Sequence, residues 1–424
     1  MNKIKFPKNF IWGASTASHQ VEGNCNNNWT NWEKLNANRL AKKAASRYGD
    51  CSPIWPEIKN QAQNPENYIS GRACDHYNLY KQDIDILKSL NLNAYRFSLE
   101  WSKIEPKEGV FNEKEIQHYM EVIDYLKEKQ IEPFVTLWHW TLPVWFAKKG
   151  GFENKEAVKI FGSYVEKTVK SLGRDVKFWI TLNEPNVFTA QSYFVGRWPP
   201  QKKNPFLYKK VMDNLIKAHK IAYKIIKKFN PQAKIGIASH NTYFEAKGLL
   251  NQIIKRFSDY WWNFRFLNKI KNSQDFIGLN YYFHKLINRN AGLIFQYAKQ
   301  GRVEKENDCP ISDMGWELYP EGIYHTLMNL KKYQKPIYIT EHGLADKNDK
   351  WRAWYIEESL KNIYKAIQAG IDARGYFHWS LLDNFEWDSG FWPKFGLLEV
   401  DYETQKRKIR KSAKDFAAFI KSTT

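Results

Sequence analysis

Two carboxylates in this sequence stand where acid–base or nucleophilic chemistry could be done. Glu184 follows the apolar run FWITL at 178–182, with Asn183 between, and Glu341 directly follows PIYIT at 336–340. Short β-rich runs of that kind read as buried strands, so each carboxyl comes at the mouth of a strand, half out of water. Burial raises a carboxyl pKa and a nearby cation lowers it, so two carboxyls in unlike surroundings divide into an acid and a base or nucleophile. Glycoside hydrolysis needs such a pair, about 5–5.5 Å apart for retention and wider for inversion. One Glu alone could equally cap the next helix or pair with a Lys. Two of them, each closing a strand, fit that plainer role poorly.

The elements that must position this pair recur along the chain. Apolar runs occupy 10–14, 94–98, 133–138, 178–182, 234–238, 276–280, 336–340 and 374–378. Amphipathic stretches between them predict helices over 75–90, 113–130, 155–172, 209–229, 321–333 and 351–369. Each interval is long enough for one βα unit of about 30 residues or more. Eight strands alternating with helices predict an α/β fold, a single (β/α)8 TIM barrel forming one domain over 1–424. The rival, a doubly wound sheet, lacks support because neither G-x-G-x-x-G nor a P-loop occurs. In a barrel the chemistry gathers where strands end. Those positions hold Gln20, Arg96, His139, Asn183 with Glu184, Asn241, Tyr282, Glu341 and Trp379. A core would be apolar there.

Composition narrows the class. The 424 residues are 43% hydrophobic and 26% charged, as in ordinary globular proteins. Aromatics reach 16%, more than a core needs, which points to rings that stack on a ligand. No apolar stretch approaches the ~18 residues of a membrane span. The opening residues to Trp12 lack an apolar signal-peptide region, so a cytoplasmic location is expected. The four cysteines (Cys25, Cys51, Cys74, Cys309) form no C-x-x-C and suggest neither zinc nor a disulfide framework. The net charge of +20 raises the question of a polyanion partner. The lysines spread over the whole chain, however, and read as a solvated surface without a specific nucleic-acid site.

The motifs FPKNFIWGA (6–14), YRFS (95–98), LWHWTLP (137–143), TLNEP (181–185), NYY (280–282), MGWE (314–317), ITE (339–341) and WSLLDNFEW (379–387) occur in this order. On these the chain resembles glycoside hydrolase family 1, the retaining β-glycosidases, over nearly its whole length. The resemblance implies Glu341 as nucleophile and Glu184 as general acid/base. It implies that Arg96 and Tyr282 contact Glu341 and keep it ionised, and that Asn183 bonds the sugar 2-hydroxyl. Gln20, His139, Glu386 and Trp387 would hold the other hydroxyls. Trp379 would form the floor, Trp316 the leaving-group side and Phe395 the edge of the sugar pocket. The Glu386–Trp387 pair argues for an unphosphorylated sugar, and Glu184 sets the chain apart from thioglucoside-cleaving relatives. No cofactor or metal is implied.

Read without the resemblance, Arg96 could instead pair with Glu100, and His139 could be a core histidine. Two departures from the family stand out. His342 follows the nucleophile where Asn is usual; its side chain either faces the second layer around the carboxylates or packs behind the strand. Loops around 243–275 and 289–312 look trimmed, which leaves leaving-group preference open. The expected activity is hydrolysis of terminal β-D-glucosyl groups, with β-galactosyl and β-fucosyl groups as further candidates. The substrates would be small β-glycosides or oligosaccharides. A transglycosylase and a non-catalytic sugar-binding relative are the alternatives.

Overall fold

The protein is described here from a computed structural model covering residues 4–173, 176–287 and 310–423. Cys309, nearly all of the 289–312 stretch and Met1 to Lys3 lie outside these residues. Strands β1 (Ile11–Ser15), β2 (Ala94–Ser98), β3 (Glu132–Thr136), β4 (Phe178–Asn183), β5 (Lys234–Ala246), β6 (Ile277–Ile287), β7 (Ile337–His342) and β8 (Ala373–Trp379) pair in sequence order and close into a barrel. Every pairing is parallel, β8 returning to β1. All eight expected strands and the barrel topology are present.

The barrel is filled, not hollow. Phe134, Phe178, Phe276, Tyr338 and Phe377 form a buried aromatic cluster inside it. Phe134 and Phe178 stack at 4.2 Å. Such a plug needs room on the strands: a Cβ at Gly13 would come within 2.4 Å of the Phe377 ring. A second, much larger apolar layer joins the outer faces of the strands to the surrounding helices, as expected for parallel strands buried on both faces.

The six expected helices form, among them His76–Ser89, Glu113–Glu128, Ala157–Leu172 and Arg352–Gln368. Pro205–Phe229 starts earlier than its apolar pattern, because the Asn204 side chain accepts from the amides of Phe206 and Leu207 and Pro205 fits the first turn. Further helices escaped the sequence reading, the longest being Asn28–Tyr48, Lys411–Thr423 and Leu249–Ser258. The region 243–275 holds regular structure rather than a bare loop. β5 continues to Ala246 beside a lengthened β6, and the helices Leu249–Ser258 and Arg265–Ile270 follow. β9 (Leu398–Val400) and β10 (Arg407–Ile409) form a separate two-stranded sheet. Among the described residues no helix is long and apolar enough to cross a membrane.

Candidate active site

At the C-terminal ends of the strands lies a cleft of about 750 Å³, its open mouth included. Gln20, His139, Glu184, Tyr282, Trp316, Glu341, Trp379, Glu386, Trp387 and Phe395 all line it. Asn183 and Arg96 lie directly beneath, fully buried. The two carboxylates come from β4 and β7, as their positions after apolar runs required. Asn183 and Glu184 are consecutive yet both serve the site. A bulge between Ile180 and Asn183 breaks the strand alternation, and Glu184 takes a left-handed backbone with φ 41°. A non-glycine residue in that region costs of order 1–3 kcal/mol, a cost that gathers at functional sites.

Arg96 organises the floor. Its Nη1 donates to Glu341 Oε1 at 2.5 Å, its Nη2 to Asn183 Oδ1 at 2.6 Å, and its Nε to Thr136 Oγ1 at 3.2 Å. Its alternative partner, Glu100, is occupied by Ser18, Asn27, Ser102 and Thr141. Because a guanidinium only donates, Asn183 must present its oxygen to Arg96 and its Nδ2 to His139 Nε2, 2.9 Å away. That nitrogen of His139 therefore accepts, and its proton sits on Nδ1. Burial, reinforced by the Arg96 charge, holds His139 neutral, far below its ordinary pKa. His139 Nδ1 and Gln20 Oε1 meet no partner among the described residues. A buried donor and a buried acceptor in the cleft lining are thus left for a ligand's polar groups, which distinguishes His139 from a satisfied core histidine.

The carboxylates differ in their surroundings. Burial pushes Glu184 far above its ordinary pKa and the charge of Glu341 adds to the rise, against a 2.8 Å bond from Asn280 Nδ2 to Oε1. With Oε1 so engaged, the proton belongs on Oε2. Burial raises Glu341 as well, but Arg96 and Tyr282, whose hydroxyl donates to Oε2 at 3.0 Å, act against it. The contacts expected at Glu341 are present. Burial outweighs them, so the Glu341 pKa still lies above its ordinary value. The greater rise falls on Glu184.

At the far wall, Glu386 accepts at Oε2 from Asn384 Nδ2 at 2.9 Å and Gln20 Nε2 at 3.2 Å. Burial, opposed by the Asn384 bond, pushes its carboxyl up to about 8. The loop carrying it is held by Asp383, which Arg410 grips with both Nη atoms at 2.9 and 2.8 Å. Trp316 packs against Phe283, Tyr282 and Phe395. One strand-end residue stays out: Asn241 turns to the carbonyl of Asn263, and its neighbour His240 lines the cleft instead. Asn280 was overlooked as a site residue, although it shares a strand face with Tyr282 at the spacing of two that β6 dictates.

His342 settles into the space behind the strand. Strand alternation points it away from Glu341, where its nitrogens meet Tyr376 Oη at 3.0 Å and Ser359 Oγ at 3.1 Å. Burial alone lowers its pKa to about 3. It therefore carries no charge to the carboxylates. His19, Cys25 and Glu100 bring ligand-type atoms within 4.8 Å of one another. Those atoms already serve the protein: His19 bonds Glu33 and Asn27, Glu100 is occupied as above, and burial keeps the Cys25 thiol well above its usual pKa.

Comparison with known proteins agrees with this architecture. Beta-glucosidase A of Thermotoga maritima is 35% identical across 100% of this chain and 99% of its own. A beta-glycosidase from Pyrococcus horikoshii superposes with a TM-score of 0.84 at 37% identity, covering 99% of this chain and 96% of that one. The beta-glucosidase from Thermotoga maritima in complex with glucoimidazole superposes at 0.83 with 34% identity and 99% coverage of both. The family model described as glycosyl hydrolase family 1 matches residues 2–252 and 263–424, spanning both carboxylates and all eight strands. With motif order, barrel and sequence likeness in agreement, the chain belongs to glycosyl hydrolase family 1.

Proposed function

We propose that the protein is a retaining β-glycosidase that hydrolyses terminal β-D-glucosyl groups, acting as one domain over 1–424. The observation that carries this reading is the asymmetry of the carboxylates: Glu341 touches a buried guanidinium and Glu184 does not. In the first step Glu184 Oε2 gives its proton to the glycosidic oxygen as Glu341 attacks the anomeric carbon, and the leaving group departs as a neutral alcohol. A glycosyl ester on Glu341 remains. Glu184, now ionised, takes a proton from water, whose oxygen displaces Glu341 and restores the β configuration. This is double displacement with one residue serving as acid and then base. Loss of the Glu341 charge in the ester removes one cause of the raised Glu184 pKa, which favours the change of role.

Arg96, Tyr282 and Asn183 position the reacting groups. Gln20, His139, Glu386 and Trp387 take sugar hydroxyls, Trp379 stacks beneath the ring, Phe395 borders it, and Trp316 faces the leaving group. Glucosyl preference draws support from relatives whose names are beta-glucosidase and 1,4-beta-D-glucan glucohydrolase. A Thermotoga maritima structure in complex with galacto-hydroximolactam supports galactosides as further substrates. The test is a panel of nitrophenyl α- and β-glycosides, with the product anomer followed by NMR. The β-anomer should appear first; initial release of the α-anomer would rule out retention.

A further inference from the structure

A second charged cluster borders the same cleft and has no part in the mechanism above. Asp388 is buried, and Arg47 Nη1 lies 2.8 Å and Arg197 Nε 3.0 Å from its Oδ2. Trp198 Nε1 donates to its other oxygen at 2.8 Å. Burial pushes the Asp388 carboxyl up, but the two arginines outweigh it and hold it below its usual range. One guanidinium would balance this carboxylate. Two leave a surplus positive charge in this part of the cleft wall.

The arginines are anchored at one end only. Arg47 Nη2 is buried without a partner among the described residues. Arg197 Nε approaches Asp388 as an ion pair without a hydrogen bond, and its side chain stays 24% exposed. Both residues line the cleft. Each also adjoins the side from which a leaving group departs. Arg197 follows the segment after Glu184, its amide bonded to the carbonyl of Gln191, another lining residue. Arg47 lies in the last turn of the helix Asn28–Tyr48, and Tyr48 and the following Cys51 pack in one cluster with Met314 and Trp316. A guanidinium with a free edge matches a carboxylate in shape and charge.

We infer that Arg47 and Arg197 form an anion subsite beside the sugar pocket, which takes a carboxylate carried on the leaving group of a β-glycoside. The inference rests on the β-glycosidase reading and extends it to a substrate class. The net charge of +20 works in the same direction, because a positive field draws anionic substrates to the cleft.

The experiment compares 4-(carboxymethyl)phenyl β-glucoside with its methyl ester, a pair whose methylene spacer keeps the two leaving groups alike. A second pair places the charge on the sugar, as 6-O-hemisuccinyl and 6-O-acetyl nitrophenyl β-glucosides. Wild-type kcat/KM should favour the free acid of the first pair by about tenfold at low salt, in line with charge-assisted hydrogen bonds. Added salt should erode that ratio. Arg197→Gln and Arg47→Gln should bring it towards one, and Arg197→Lys should keep part of it. General damage to the fold lowers both rates and leaves their ratio alone. If a variant does not fold, the wild-type ratio and its salt dependence still decide. A ratio at or below one, with the ester turned over, overturns the subsite and leaves the glycosidase reading intact. Preference confined to the second pair overturns the assignment to the leaving group. Absence of turnover on both members of both pairs overturns the glycosidase reading and the subsite with it.

Discussion

Arg96 on β2 and Glu341 on β7 meet across the barrel, guanidinium Nη1 to carboxylate Oε1, at 2.5 Å with the arginine fully buried. The same guanidinium orients Asn183, and through it the tautomer of His139. One cation thus sets the charge of one group and the donor pattern of two others.

Removing it should therefore show in the pH profile as well as in the rate. Arg96→Met takes away the main influence that lowers the Glu341 pKa. The acid limb of kcat/KM should move to higher pH, since more alkaline solution is then needed to ionise Glu341. The maximum should fall by about a hundredfold or more, as for other groups that stabilise charge in an active site. An unmoved acid limb would assign that limb to a different group.

The carboxylate roles separate by chemical complementation. Glu341→Ala should abolish turnover, and azide should restore part of it as the α-glycosyl azide, because a small anion can enter the vacated space from the nucleophile's side. Glu184→Ala should retain rapid glycosylation by substrates with good leaving groups, with azide giving the β-product. Exchange of these two stereochemical outcomes would reverse the assignment.

Glu386 carries both a specificity and a stability signature. Glu386→Gln should harm glucosides and galactosides more than fucosides, which lack the 6-hydroxyl, because a site built to bond a hydroxyl discriminates strongly at that position. Its folded pKa of about 8 lies above the unfolded value of 4.5. The folded state therefore holds more protons between these values, and stability falls as pH rises through that window. The Tm of Glu386→Gln minus that of wild type should increase from pH 5 to pH 9. A flat difference would place Glu386 in contact with solvent or a cation.

His342→Asn should leave the pH profile of kcat/KM superimposable on wild type and lower stability at neutral pH by about 1–2 kcal/mol through two lost hydrogen bonds. Its folded pKa of about 3 lies below the unfolded 6.5, so wild-type stability rises with pH between them. The stability advantage of wild type over the variant should shrink from pH 7 to pH 4. A shifted limb in the activity profile would instead connect His342 to the carboxylates.

The sequence by itself determined the barrel, the family and about half of the residues that line the cleft. Strand-forming apolar runs are local features, and in parallel β/α folds the chain order of the strand ends is also the list of active-site positions. Glu184, Glu341 and Arg96 were therefore visible as chemistry before any contact was known. Tertiary structure decided what depends on which way a side chain turns and what it meets. The bulge at β4 lets Asn183 and Glu184 both serve the cleft, His240 lines it where Asn241 does not, and strand alternation sends His342 behind Glu341. A shift of one residue in a strand reverses the face of every side chain beyond it, and apolar patterning does not register such a shift. The juncture of Arg47, Arg197 and Asp388 joins three distant parts of the chain. Their contact arises only when the barrel closes, because loop closure and burial bring charges together that no local spacing relates.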